Sequence, residues 1–264
     1  MRVVRTVADV RAALAGRSGI GLVPTMGAYH AGHEALFQIA RAENGTVVAS
    51  LFVNPAQFGD EADLAAYPRD EARDAAIAEA AGVDLLFAPS LEEIYPPGFQ
   101  TWVEVEEAAR GLEGDARPGH FRGVATVCLK LFTIVRPQRA YFGQKDAQQA
   151  AVLRRVVRDL NIDIEIRVLP TVRDKDGLAV SSRNVQLSPE ERTRALALPR
   201  ALALGAVTYT QGGDPVAATR SAFNGLTPDY IEILEFDGMI VLASALRVGK
   251  TRLIDNVLLK GDLP

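Results

Sequence analysis

The apolar residues of this chain fall into two rhythms. Short continuous runs at residues 20–23, 46–53, 84–88 and 163–169, another starting at Ala140, and a weaker one at 101–105 are rich in aliphatic and β-branched side chains. That is the pattern of strands covered on both faces in a parallel sheet. Between the runs, after Glu34 and over 69–81, 124–135 and 147–160, apolar residues recur every three or four positions, which predicts helices with one buried side. Strand-then-helix units repeated from Ile20 to Leu169 predict an α/β fold built on a doubly wound parallel sheet. Pro170 closes the last run, so the domain boundary is placed near Thr171.

Local signals complete the outline. Thr6 caps a short helix over 6–15, Ser90 opens a brief one broken by Pro96 and Pro97, and 106–112 reads as a third. Beyond the boundary, Ser188-Pro-Glu-Glu191 is a capping box launching a helix toward Tyr209, which Pro199 bends or divides. Gly212-Gly213 ends that element, 214–223 makes another helix, and 230–236 and 251–259 read as strands. The outline is a Rossmann-like domain over 1–171 and a smaller C-terminal α+β domain over 172–264. Two phosphate-loop look-alikes fail. The pair Gly19-x-Gly21 precedes its strand and has Pro24 in place of a third glycine. Gly249-Lys-Thr251 lacks the first Walker glycine, because Ser244 stands there, and reads as a hairpin segment.

Composition narrows the class. The chain is 48% hydrophobic and 23% charged with a net charge of −4, the balance of a globular protein with a real core and no concentrated basic face for nucleic acid. Cys128 is the single cysteine, which excludes an intrachain disulfide and a cysteine zinc cage. It shares a stripe with Val124, Val127 and Leu131 and reads as core filler. No apolar stretch reaches membrane-spanning length and the segment after Met1 has no long apolar core, so the cytoplasm is the default compartment and no membrane partner is expected.

The candidate chemistry starts at Val23-Pro-Thr-Met-Gly-Ala-Tyr-His-Ala-Gly-His33, a strand that passes through a tight turn into a helix. Gly27 and Gly32 lack a Cβ and let backbone approach a ligand, while the helix N-terminus adds partial positive charge, so the turn suits phosphate. Two of the three histidines, His30 and His33, lie here and can face one anion. His33 also shares a helical face with Leu36, Phe37 and Ala40, which alone would make it a core histidine. Gln57 follows a strand end, where open parallel sheets bind ligands. Lys145 can offer an ammonium to phosphate, and Asp146 can cap amides or accept from a nucleotide hydroxyl. Gln149 continues the stripe Leu153, Val156, Leu160 and so is expected to face inward. Ser181, Ser182 and Arg183 follow a glycine-containing loop and could clamp phosphate, or could be a serine cap beside a surface arginine.

The segment Pro24-Thr-Met-Gly-Ala-Tyr-His-Ala-Gly-His33 resembles the signature of the pantothenate synthetases, members of the nucleotidyltransferase superfamily whose HIGH-type motif binds ATP. Asn54-Pro-Ala-Gln-Phe58, Gly119-His-Phe-Arg-Gly123, Gly143-Gln-Lys-Asp146 through Gln149, and the run to Ser-Ser-Arg-Asn184 are similar to further family segments in the same order. Tyr29, Ala31 and Gln144 depart from the usual Leu, Glu and Glu. The resemblance implies ATP-dependent condensation of pantoate with β-alanine to pantothenate, AMP and diphosphate, without a covalent enzyme nucleophile. It implies that His30, His33 and Lys145 are catalytic. ATP is expected to contact Met26, Gly27, Ala28, Tyr29, His30, Ala31, Gly32, His33, Gly143, Gln144, Lys145, Asp146, Val172, Val180, Ser181, Ser182 and Arg183. Gln57 and Gln149 would hold pantoate, and Gln57 also β-alanine. Mg²⁺ is expected on the phosphates without a protein metal site, 172–264 acts as a lid, and the partner is a second copy in a homodimer. Two rival readings are a cytidylyl- or adenylyltransferase that keeps the nucleotide on its product, and a non-catalytic nucleotide sensor or RNA-binding relative. The paired glutamines and Ser-Ser-Arg-Asn184 oppose the first; the intact histidines and the acidity oppose the second.

Overall fold

The computed structural model describes residues 1–263. In chain order the first elements are β1 (Arg2–Val4), α1 (Val7–Leu14), β2 (Ile20–Val23), α2 (Ala31–Glu43), β3 (Thr46–Ser50), α3 (Glu61–Ala66), α4 (Glu71–Ala80), β4 (Leu85–Phe87) and α5 (Leu91–Ile94). Then come α6 (Leu112–Ala116), α7 (His120–Val135), β5 (Arg139–Gly143), α8 (Ala147–Asp159) and β6 (Glu165–Leu169). The six strands form one parallel sheet in the order β1-β4-β3-β2-β5-β6. Strands β2, β3 and β4 are buried at every position, as their unbroken apolar sequences require when helices cover both faces. The order steps outward from β2 to β3 and β4, then resumes on the other side at β5, so the topological switch lies between β2 and β5.

The chain divides into two compact units, 1–142 with 152–168, and 143–151 with 169–264. The division differs from a single boundary at Thr171, because the turn after β5 and the first part of α8 go with the C-terminal unit. That unit contains α9 (Pro189–Ala195), α10 (Ala197–Thr210), α11 (Pro215–Ala222) and an antiparallel sheet of β7 (Pro228–Phe236), β8 (Met239–Val248) and β9 (Thr251–Lys260). Its core is a cluster around Leu198, Leu202, Phe223, Leu242 and Leu246.

Several expectations are corrected. Residues 101–105 form no strand: Val103 N donates to the Thr126 hydroxyl at 3.0 Å, and Val103 and Val105 pack against Phe121, Ala125 and Val156. The sixth strand is instead β1, three residues long and too short for its periodicity to register. The helix expected over 106–112 starts only at Leu112, since Glu106, Glu107 and Arg110 leave no apolar stripe and Gly111 adopts φ +70°. Strand β8 does not stand apart from its neighbours in the sequence, yet it is the centre of the small sheet, joined to β9 through the hairpin at Gly249-Lys250. The helical run before Tyr209 breaks at Leu196. Pro199 lacks an amide hydrogen and its ring crowds the carbonyl four residues back, which places the break there.

Candidate active site

In the first unit β2 delivers the chain into the turn 24–30. Thr25 N donates to the Ser50 hydroxyl at 3.0 Å, tying the turn to β3. Gly27 has φ +90° and Ala28 φ +55°, so the chain reverses through the left-handed region at both residues. Asp74, on α4 and 1% exposed, accepts from Ala28 N at 2.7 Å and Tyr29 N at 2.8 Å. A Cβ on Gly27 would lie 2.8 Å from that carboxylate. The Ala28 and Tyr29 amides therefore serve the fold, and a ligand at this turn has to use other groups. Tyr29, where the family usually has Leu, is a core residue: its ring packs edge-on to Phe37 at 5.1 Å and its hydroxyl lies 3.1 Å from the Thr25 hydroxyl. Burial pushes its phenol well above the ordinary value. Ala31, at the other departure, is exposed.

The two histidines cap α2 as a box in which imidazoles do what Ser and Glu usually do. Gly32 N meets His30 Nδ1 at 3.1 Å, and His30 N meets His33 Nδ1 at 3.4 Å. An amide N–H can only donate, so each Nδ1 is the acceptor in its bond. The rings stand 4.1 Å apart between centroids and both are half-buried. The pair stands at the positive end of a 13-residue helix.

Gln57 lies in a 3-10 turn, Pro55–Gln57, capped by Asn54. Asn54 Oδ1 accepts from Ala56 N at 3.3 Å, and Asn54 Nδ2 donates to the Gly123 carbonyl at 3.2 Å; these backbone partners decide which way the amide points. The same Nδ2 donates to Gln57 Oε1 at 3.0 Å, and the Tyr95 hydroxyl donates to Asn54 Oδ1 at 2.9 Å. Gln57 thus has its carbonyl engaged and its NH₂ as the directed donor, suited to a carboxylate. His120, at the start of α7, meets the backbone carbonyl of Gln57 at 2.9 Å through Nδ1, so it supports the turn as well as opening the helix. Gly123 permits this: a Cβ there would lie 2.3 Å from the Ala56 carbonyl oxygen.

In the second unit the 3-10 turn Gln144–Asp146 carries Lys145, whose Nζ lies 3.5 Å from Asp146 Oδ1. Asn256 of β9 holds this turn by donating to the Gln144 and Lys145 carbonyls at 2.8 and 2.9 Å. Gly143, just before it, is extended and open on its Cβ side. Gln149 is half-buried, whereas its neighbour Gln148 is 5% exposed and Leu160 is 53% exposed. The expected stripe fails at Leu160 because α8 ends at Asp159. The segment 172–184 folds back on itself, with Val180 N on the Val172 carbonyl at 3.0 Å and Arg173 bridged to Ala179. Ser181 caps the 3-10 turn Ser182–Gln186, its hydroxyl accepting from Arg183 N at 3.3 Å, so the cap is real and Ser182 and the half-buried Arg183 sit in the turn it opens.

Sequence reasoning missed Asp74, Tyr95 and Asn256 as supports. Asn54 could have been found from its Asn-Pro turn pair. The others lie 46, 41 and 111 positions from the residues they hold, and no local pattern marks them. Cys128 is buried in α7, and burial pushes its thiol up to about 12.

The pantoate-beta-alanine ligase family model matches residues 2–258. The chain belongs to this family. It is 50% identical over 276 residues to the pantothenate synthetase of Herpetosiphon aurantiacus, covering 98% of this chain and all of that one. To the pantothenate synthetase of Moorella thermoacetica it is 51% identical over 280 residues, with 98% and 99% covered. The crystal structure of the Thermus thermophilus pantothenate synthetase superimposes with a TM-score of 0.93 at 49% identity, covering 99% of this chain and 100% of that chain. The Francisella tularensis pantoate-beta-alanine ligase, solved as a complex with beta-gamma ATP and beta-alanine, gives a TM-score of 0.84 at 36% identity over 99% of both chains. Family membership makes the chain a ligase, and among the described residues no helix is long and apolar enough to cross a membrane.

Proposed function

We propose that this chain joins (R)-pantoate to β-alanine in an ATP-dependent reaction through a pantoyl adenylate, releasing AMP and diphosphate. The observation that carries the assignment of roles is the His30–His33 box, which sets two imidazoles side by side, 4.1 Å between centroids, at a helix N-terminus. The ligands of the Francisella relative support ATP and β-alanine as substrates here.

In the first step a pantoate carboxylate oxygen attacks the α-phosphorus of ATP and diphosphate departs. No enzyme nucleophile is needed, so catalysis is positioning and neutralisation of growing charge. His30, His33 and Lys145 supply that neutralisation, while Ser181, Ser182 and Arg183 hold the nucleotide together with backbone of Met26, Gly27, Ala31, Gly32, Gly143, Val172 and Val180. Asp146 takes a nucleotide hydroxyl. In the second step the β-alanine amine attacks the pantoyl carbonyl carbon, loses its proton and expels AMP. Gln57 directs its NH₂ at a carboxylate oxygen in both steps, and Gln149 orients pantoate. The 172–264 segment shields the mixed anhydride from water.

Among the described residues no group of three or more His, Cys, Asp or Glu could hold a metal. Mg²⁺ would be held largely by phosphate oxygens and water, which suits a small cation that keeps its hydration, and would add positive charge at the phosphates. A cytoplasmic homodimer completes the reading. Incubation with ATP, pantoate and β-alanine tests it: steady AMP release that requires both acids is expected, and AMP release independent of β-alanine, or a nucleotide retained on the product, would overturn it.

A further inference from the structure

Asn256 is 3% exposed and every polar atom of its side chain is engaged within the second unit. Its Nδ2 donates to two consecutive carbonyls, those of Gln144 and Lys145, at 2.8 and 2.9 Å. Carbonyls only accept, so the amide orientation is decided, and Oδ1 must receive a donor. Gln144 Nε2 provides it at 3.1 Å. Gln144 stands where the family usually has an acidic residue, and here its NH₂ closes a three-bond clamp between the turn and β9. A 3-10 turn of three residues has little hydrogen bonding of its own, so the direction in which Lys145 leaves the backbone depends on this clamp. The next residue back along the strand, Asp255, is equally buried and grips Arg173 with two bonds, at 2.7 and 3.0 Å. Arg173 is the root of the folded-back segment that carries Ser181–Arg183. Adjacent residues of β9 thus mount both groups of candidate nucleotide ligands in this unit.

We infer that Asn256 is a positioning residue for Lys145, acting on the adenylation step through the two carbonyls it holds. The inference rests on the proposed role of Lys145. Four proteins test it by single-turnover diphosphate release from ATP and pantoate, alongside pantoate KM and melting temperature: the native chain, Lys145→Ala, Asn256→Ala and the double variant. Misplacing a charged group by about an ångström costs up to roughly a hundredfold, so Asn256→Ala is expected to slow adenylation roughly tenfold with pantoate KM nearly unchanged. The double variant is expected to be no slower than Lys145→Ala alone, because a residue acting through another adds nothing once that other is gone. Losses that multiply in the double variant, or an unchanged rate in Asn256→Ala, overturn the inference while leaving Lys145 its role. An unchanged rate in Lys145→Ala defeats the reading of Lys145 itself and the inference with it. Should Asn256→Ala not fold, Gln144→Met removes the third bond alone and is expected to slow the same step by a smaller factor, again without effect on top of Lys145→Ala; a native rate in Gln144→Met would then count as the refutation.

Discussion

His33 illustrates how a single side chain can hold two offices. Its Nδ1 accepts from the amide of His30, and the same ring is the one proposed to meet a phosphate oxygen. Replacement by alanine is expected to slow adenylate formation more than tenfold, since a positioned donor to a developing charge contributes about 10²–10³ in rate. The loss of one cap bond lowers stability by only about 1 kcal/mol. Diphosphate release and a melting curve, taken together, check both halves: native turnover beside a normal melt would end the assignment. Asp74 is the opposite kind of residue, touching no proposed substrate. Asp74→Ala strands two amides, each costing about 1–3 kcal/mol when buried and unpaired, so a lower melting temperature is expected to accompany a raised ATP KM. Cys128 makes a third case. With its thiol pushed up to about 12 and its side chain buried, it is expected to resist thiol reagents at pH 8 until denaturant is added. Because the folded value lies above the unfolded one, the thiol's contribution to stability is intact below pH 9 and is lost as pH rises from there toward 12, which alkaline urea titrations will register.

Elements of this protein meet through positions where a side chain is missing. Helix α7 rests on the Pro55–Gln57 turn at Gly123, where an added methyl would sit 2.3 Å from the Ala56 carbonyl oxygen and 2.7 Å from Gln57 N. Neither atom belongs to a flexible side chain, so Gly123→Ala must push the turn and its glutamine aside. A severalfold rise in pantoate KM, larger than the change in kcat, is expected, and an unchanged KM would show that Gln57 is not oriented by this contact. In the small sheet, β8 pairs with both neighbours and is buried almost throughout, while β7 is fully buried only at Ile231. The middle strand escaped a reading from sequence because its ten residues are longer than the apolar runs of the first unit, and an apolar run of that length is not told from a buried helix by period alone.

At the level of the whole molecule, a mass of twice 28.4 kDa by sedimentation is expected for the proposed homodimer, and a monomer at micromolar concentration would remove it. The repeating apolar runs were enough to establish the parallel sheet and helices of the first unit, because burial on both faces writes itself into consecutive residues. The Val23–His33 segment, Gln57, Lys145 and Ser181–Arg183 were legible for the same local reason: strand ends, glycines and caps are spelled out within a few positions of one another. What only the tertiary structure decided is which groups are already committed. The amides of Ala28 and Tyr29 belong to Asp74, the Gln57 carbonyl oxygens to Asn54 and His120, and the Lys145 turn to Asn256. Hydrogen bonds between residues tens to a hundred positions apart leave no periodic trace in a sequence, since their energy depends on distance in space and not along the chain.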